Sequence, residues 1–201
     1  MIFGGFMNLI SNSCLGGYIY QFSNEELKNP FQWCFIEPND FLNLIIYYDK
    51  LNYKNITFRP SCEVKSTYDV IVDNIVKLKY IHYVEKKCNV DRISGHNVIS
   101  NDVKTYISNI FNRRLPRMTE HPIFVYCDNI HKNDDSITEK IAATDAIKLI
   151  ITNNDSLTKY NNDNTLIIVD KTPRMIIGKT YPIHYASKYK PIILNFVKNH
   201  T

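Results

Sequence analysis

Three stretches of this chain, Pro122–Asp128, Lys148–Thr152 and Thr165–Val169, carry almost unbroken apolar runs rich in isoleucine and valine. A strand with one wetted face alternates apolar and polar residues, whereas a continuous run belongs to a strand covered on both faces. That requirement points to a parallel sheet between two helical layers. The intervening patterns agree. A helix is expected over about Ser136 to Ala146, opened by the capping box Ser136-Ile137-Thr138-Glu139. Upstream, Phe31–Ile36 reads as a buried strand, and Glu37-Pro38-Asn39-Asp40 starts a helix reaching about Leu51, with Phe41, Leu44, Ile45 and Tyr48 at helical spacing. Asn55–Phe58 reads as a further strand, and Tyr68–Val84 as a hairpin around Asp73-Asn74. Lys86–Asn101 reads as a loop, followed by a helix with Val103, Tyr106, Ile107, Ile110 and Phe111 on one face. A last helix spans about Lys190 to Asn199, with Pro191 in its first turn. The expected architecture is a three-layer α/β/α sandwich, with a mostly parallel sheet and an antiparallel hairpin excursion. Its 201 residues suit a single domain over 1–201, and are compatible with one domain of a longer polypeptide.

Charge narrows the partners. With 24 basic against 20 acidic residues, scattered along the chain, no stripe exists to follow a nucleic-acid backbone. The pairs Lys86-Lys87 and Arg113-Arg114 read first as solvated faces and second as contacts for a nucleotide or coenzyme phosphate. Five cysteines, Cys14, Cys34, Cys62, Cys88 and Cys127, lack any CxxC spacing and sit mostly in apolar runs, so reduced and largely buried thiols are expected, and no metal site. The opening Met1–Met7 carries no basic segment, and its apolar run is broken by glycine; neither a signal peptide nor a membrane span is expected, and the location is read as cytoplasmic.

The stretch Leu9–Gln21 reads as strand, tight turn and helix start: Leu9-Ile10, then Ser11-Asn12-Ser13-Cys14, then Gly16-Gly17 and an apolar-aromatic segment. Glycines allow close approach of backbone, and the amino end of a helix favours a phosphate or carboxylate. The competing reading is a plain strand-to-helix connection. No Walker or GxGxxG spacing is present. In an open α/β sheet, ligands collect outside the carboxyl ends of the strands. That rule selects Ser11, Asn12, Ser13, Cys14, Gly16 and Gly17, together with Glu37 and with Asp128-Asn129; each could instead serve as a cap or turn residue. His82, a polar position in the apolar run Lys79–Tyr83, has an imidazole suited to accept a proton, against the plainer reading of a half-buried strand histidine. His184 is a second such histidine. Cys14 reads as a small buried thiol before a nucleophile.

Ile10-Ser11-Asn12-Ser13-Cys14-Leu15-Gly16-Gly17, then Tyr20, Asn29-Pro30-Phe31 and Phe35-Ile36-Glu37-Pro38-Asn39-Asp40-Phe41, resembles the opening of the exopolysaccharide (capsular polysaccharide) biosynthesis proteins grouped as a domain of unknown function. Ile81-His82-Tyr83 matches that family's strand ending in a His-Tyr pair, and Ile123–Asp128 its later apolar strand ending in an acid. Two departures stand out: Leu15 replaces an aromatic residue, and a loop around Gly95 replaces a Lys-rich helix. The resemblance runs from about Leu9 to Thr152. It implies an enzyme of surface-glycan synthesis with a three-layer α/β fold. Within that class the first expectation is a transferase moving an acetyl group from acetyl-CoA to a nucleotide-linked amino sugar. His82 would accept the ammonium proton, Asp128 would orient it, and the Ser11–Gly17 turn with Glu37 would bind substrate. No metal is expected for that chemistry. Glycosyl transfer from a nucleotide sugar is the alternative, although Asp134-Asp135 is not the Asp-x-Asp pair such metal-dependent enzymes commonly carry. A non-catalytic module that binds a nucleotide sugar or glycan for a fused or partner enzyme is the third reading.

Overall fold

The computed structural model describes residues 8–23, 29–32, 34–60, 68–80, 101–118, 120–128, 135–171 and 181–201. In chain order these form β1 (Leu9–Ser11), α1 (Leu15–Ser23), β2 (Cys34–Phe35), α2 (Pro38–Tyr47), β3 (Ile56–Pro60), β4 (Tyr68–Val72), β5 (Val76–Tyr80), α3 (Asn101–Arg114), β6 (Ile123–Cys127), α4 (Asp135–Ala142), β7 (Lys148–Thr152), β8 (Thr165–Val169), α5 (Tyr181–Lys188) and α6 (Lys190–Asn199), with 3₁₀ turns over Leu115–Arg117 and Asp155–Tyr160. The fold class is α/β.

The three apolar runs are neighbours in one parallel sheet, ordered β1-β6-β7-β8. Its side chains alternate between two apolar layers. Leu9, Ile123, Val125, Cys127, Leu149, Ile151 and Ile168 face α1, α5 and α6. Ile10, Phe124, Tyr126, Ile150 and Ile167 face α2, α3 and α4. Both faces are therefore covered, which is why these strands could be read as continuous runs.

The antiparallel part is larger than a hairpin excursion. β2, β5, β4 and β3 form a second four-stranded sheet in that order. The Phe31–Ile36 run contributes only Cys34 and Phe35 as a strand, paired antiparallel to Tyr80 and Lys79. Its apolar character comes from α2 and the shared core: Phe31, Cys34 and Ile36 join the same apolar cluster as Val70, Val72, Val76 and Leu78. The β4–β5 hairpin turns at Asp73 and Asn74, both with positive φ (53° and 57°), as a type I′ connection requires.

α2 begins with Pro38 at its first turn and buries Phe41, Leu44 and Ile45. Phe41 packs its ring at 6.0 Å edge-on to Phe124 and 5.4 Å from Tyr126, so this helix covers the place where the two sheets meet. The backbone amide of Lys77 in β5 donates to the Asp40 carboxylate at 2.9 Å, fixing the first turn of α2 to β5. Burial raises the Asp40 carboxyl pKa above its ordinary value.

Candidate active site at the carboxyl edge

β1 and β6 lie side by side and run parallel, yet the helices that follow them go to opposite faces. α1 leaves β1 for the layer of α5 and α6; α4 leaves β6 for the layer of α2 and α3. The connections diverge at this point, and in open α/β sheets such a switch is where a ligand crevice forms, above the carboxyl ends of the two strands.

Asn12 is the node of the crevice floor. Its amide donates to Val125 O at 3.2 Å and its carbonyl accepts from Ile36 N at 3.0 Å. Its side chain accepts from Cys127 N at 3.0 Å and donates to Cys127 O at 3.1 Å. One residue thus ties β1 to β6 and to the end of β2. This side chain is engaged with the backbone at the end of the neighbouring strand rather than with its own turn.

Around Asn12 the local turns explain Ser11, Ser13 and Gly16. Ser11 Oγ accepts from Ser13 N and Ser13 Oγ accepts from Leu15 N, each at 3.3 Å, so the serines organise the entry into α1. A Cβ on Gly16 would lie 2.9 Å from Ser11 Cβ, 3.0 Å from Gln32 Oε1 and 3.1 Å from Leu9 Cδ2. The missing side chain at Gly16 is accounted for by the seating of α1 on β1. Gly17 is buried in the same helix. Gln32 and Asn29 complete the seat by donating to Leu9 O.

Cys14 stands at the start of α1, half-buried and with a free thiol. Burial pushes its pKa up to about 11, against the ordinary thiol value of 9.0, so the group stays protonated near neutrality. Cys34 is driven upward for the same reason, and Cys34 and Cys127 are both buried.

On the β6 side, Asp128 follows the strand and is buried, accepting a hydrogen bond from Thr152 Oγ1 at the end of β7. Thr152 Oγ1 in turn accepts from Asn154 N at 3.0 Å. On the β2 side, Glu37 precedes α2 without capping it through its side chain. Its Oε1 accepts from Lys79 Nζ at 2.7 Å, and that lysine side chain is only 3% exposed. The Ile36–Asn12 bond sets Glu37 level with Ser13, so Ser11–Gly17, Glu37 and Asp128 all gather at one edge of the fold.

His82 and Asn129 lie outside the described residues. β5 passes Lys79 opposite Phe35 and reaches Tyr80 opposite Cys34, while β2 runs the same way as β1, with Asn29 near Asn8 and Ile36 near Asn12. Within Val76–Tyr80, β5 thus runs antiparallel to β2, with Lys79 nearer the carboxyl edge than Tyr80. His184 is an exposed residue of α5, 5.9 Å from the Tyr185 ring.

Thr152, Lys79 and Asp170 are members of this edge that the sequence reading did not select. Thr152 and Asp170 end or follow apolar runs, so the carboxyl-end rule applied to every strand would have found both. Lys79 is one of four charged residues in the hairpin, with Asp69, Asp73 and Lys77, and nothing local singles it out, because its ion pair spans 42 residues of sequence. Asp170 turns to the opposite layer, where Lys188 Nζ at 2.9 Å and Tyr189 OH at 2.7 Å donate to its carboxylate.

Among the described residues, no helix is long and apolar enough to cross a membrane, and no group of three or more His, Cys, Asp or Glu residues is arranged to hold a metal ion. Residues 5–92 match the model of a family described as a domain of unknown function, DUF1919. That stretch contains β1 to β5, with Ser11–Gly17, Glu37 and Lys79, while Asp128 and Thr152 fall beyond it. No curated protein matches the chain.

Proposed function

We propose that the crevice between β1 and β6 holds the phosphate-bearing part of a substrate, and that the chain is a transferase of surface-glycan synthesis moving an acetyl group from acetyl-CoA to a nucleotide-linked amino sugar. The observation that supports a substrate here is the switch point itself, with the amino end of α1 on one side and the buried Asp128–Thr152 pair on the other. The resemblance carried by Ile10–Gly17 and Phe35–Phe41 supports an enzyme of surface-glycan synthesis without fixing its chemistry, and acyl transfer is the reading taken within that class.

In this reading the sugar amine attacks the thioester carbonyl, a C–N bond forms and the C–S bond breaks, and the sulfur leaves as the CoA thiol. The proton released by the amine passes to Asp128, whose carboxylate is oriented by the Thr152 hydroxyl. Transfer is direct, because the elevated pKa of Cys14 leaves its thiol a poor nucleophile at neutral pH.

A thermal-shift panel of acetyl-CoA, CoA and UDP-, dTDP- and GDP-sugars, with and without Mn²⁺, is the first test. A ligand at 100 times its Kd adds about 2.7 kcal/mol of stability. Stabilisation by acetyl-CoA and by a nucleotide amino sugar is expected, followed by acetyl transfer that falls about 10²–10⁴-fold in Asp128→Asn and persists in Cys14→Ala. His82→Ala separates the two proton acceptors: a loss confined to that variant assigns the proton to the imidazole. Stabilisation only by a nucleotide sugar with Mn²⁺ would replace acyl transfer by glycosyl transfer.

A further inference from the structure

A row of charged side chains crosses the antiparallel sheet and ends at the carboxyl edge. Arg59 of β3 stands opposite Asp69 of β4, and Asp69 stands opposite Lys79 of β5. Lys79 in turn stands opposite Phe35 of β2, two residues before Glu37. These side chains point away from the shared apolar layer, because the alternating neighbours Cys34, Ile36, Val70 and Leu78 occupy that layer. Ile10 lies in the same layer, so Ser11 points to the outer side too, where Gly16 of α1 packs closely on it. Glu37 and the amino end of α1 therefore share one side of the sheets as well as one edge.

The ion pair at the end of this row is unevenly exposed. Lys79 Nζ donates to Glu37 Oε1 at 2.7 Å, with the lysine side chain 3% exposed and the glutamate 32%. The same Nζ lies 5.8 Å from the centre of the half-buried Phe35 ring, and the buried Asp69 faces Lys79 across the ladder. A buried ion pair adds little net stability over apolar residues of the same volume. What this pair supplies is position, a carboxylate fixed at the edge by a cation from a strand of the other sheet. Two cations and two anions make up the row, so their charges cancel and neither a phosphate nor an ammonium is favoured. A carboxylate oxygen still accepts strongly from hydroxyl groups. An uncharged ring rich in hydroxyls is the ligand class that fits.

We propose that Glu37 accepts hydrogen bonds from the hydroxyl groups of the sugar in a nucleotide-linked substrate, and that Lys79 is a positioning residue acting through Glu37. These roles rest on the nucleotide-sugar reading of the crevice and divide the ligand across it. The diphosphate lies at the amino end of α1, and the sugar lies on its β2 side.

Isothermal titration calorimetry of the full chain with UDP and UDP-glucose, dTDP and dTDP-glucose, and GDP and GDP-mannose tests this. The parent should bind one sugar nucleotide about 10-fold or more tightly than the matching nucleoside diphosphate. Glu37→Gln, which keeps an oxygen for Lys79, should lose about 10-fold in affinity for that sugar nucleotide and none for the diphosphate. Lys79→Met should show the same split, which a general loss of structure would not produce. The double variant should bind no more weakly than Glu37→Gln, because Lys79 acts through Glu37. It carries neither charge of the pair, so it gives this readout even where Lys79→Met alone fails to fold. Equal affinity of the parent for a diphosphate and its sugar, sugar selectivity that survives Glu37→Gln, loss of both ligands alike in Lys79→Met, or a further loss in the double variant would each overturn these roles while leaving the nucleotide-sugar reading in place. A parent that binds none of the ligands overturns that reading and these roles with it.

Discussion

At the scale of single residues, Asn12 and Lys148 show how polar groups are held inside this sheet. Asn12 both donates to and accepts from the Cys127 backbone at the end of β6. Asn12→Ala leaves two backbone groups of a buried strand end without those partners, at an expected cost of about 2–4 kcal/mol. Urea unfolding at constant slope should show the loss as a lower midpoint. An unchanged midpoint would remove Asn12 from its place as the node of the crevice. Lys148 is buried and donates to the carbonyls of Thr144 and Ala146, beyond the carboxyl end of α4. Burial lowers its pKa to about 8 from an ordinary value of 10.5, while Asp145 opposes the shift. Below pH 8 the amine is charged in both folded and unfolded chains, and the cost of burying the charge is present in full. Between pH 8 and 10.5 the unfolded chain binds the proton more strongly, so stability rises with pH through that window. The Tm of the parent measured against Lys148→Met should therefore improve from pH 8 to 10.5. A flat difference would contradict the lowered pKa.

At the scale of elements, the hairpin offers a direct check on turn chemistry. Asn74 holds φ at 57°, a region that asparagine tolerates and glycine adopts without strain. Asp73 must stay, because its carboxylate accepts from Asn52 N at 3.1 Å and Asn55 Nδ2 at 2.9 Å, tying the turn to the approach of β3. Asn74→Gly should raise stability by about 0.5 kcal/mol, a Tm gain of about 1–2 °C by calorimetry, and Asn74→Val should lower it. The elements that were legible in the sequence share a property: their signal is local. Lys148–Thr152, Thr165–Val169 and Lys190–Asn199 appear with the bounds read from the chain, because run length, flanking turns and Pro191 are all short-range cues. The Asp73-Asn74 turn was legible for the same reason. The second sheet was not. Nothing within Phe31–Ile36 says that only Cys34 and Phe35 will join a ladder, or that their partner is β5 and not β1; that choice is made by α2 and by Asn12, each remote from β5 in sequence. The candidate site divides along the same line. Ser11–Gly17, Glu37 and Asp128 were marked by position at strand ends, whereas the Glu37–Lys79 and Asp128–Thr152 pairings are tertiary.

At the scale of the whole molecule, the two sheets are built around one shared apolar layer. Val70, Val72, Val76 and Leu78 of the antiparallel sheet pack in the same cluster as Ile10, Phe124, Tyr126 and Ile150 of the parallel one. α2 lies across both, and the Ile36–Asn12 hydrogen bond joins their backbones. A chain arranged this way loses the core of one sheet when the other opens, so unfolding should be a single cooperative transition. The only tryptophan, Trp33, precedes β2 immediately in sequence, and its fluorescence provides a probe beside the far-ultraviolet circular dichroism that reports on all elements. The two urea transitions should coincide. Phe41→Ala, at the centre of the shared layer, should cost about 3–5 kcal/mol and should displace both transitions by the same amount. Displacement of the fluorescence transition alone would show that the antiparallel sheet opens independently of the sheet that carries Asp128. In that case the crevice, whose floor depends on β1, β2 and β6 together, would lose one wall before the rest of the fold gives way.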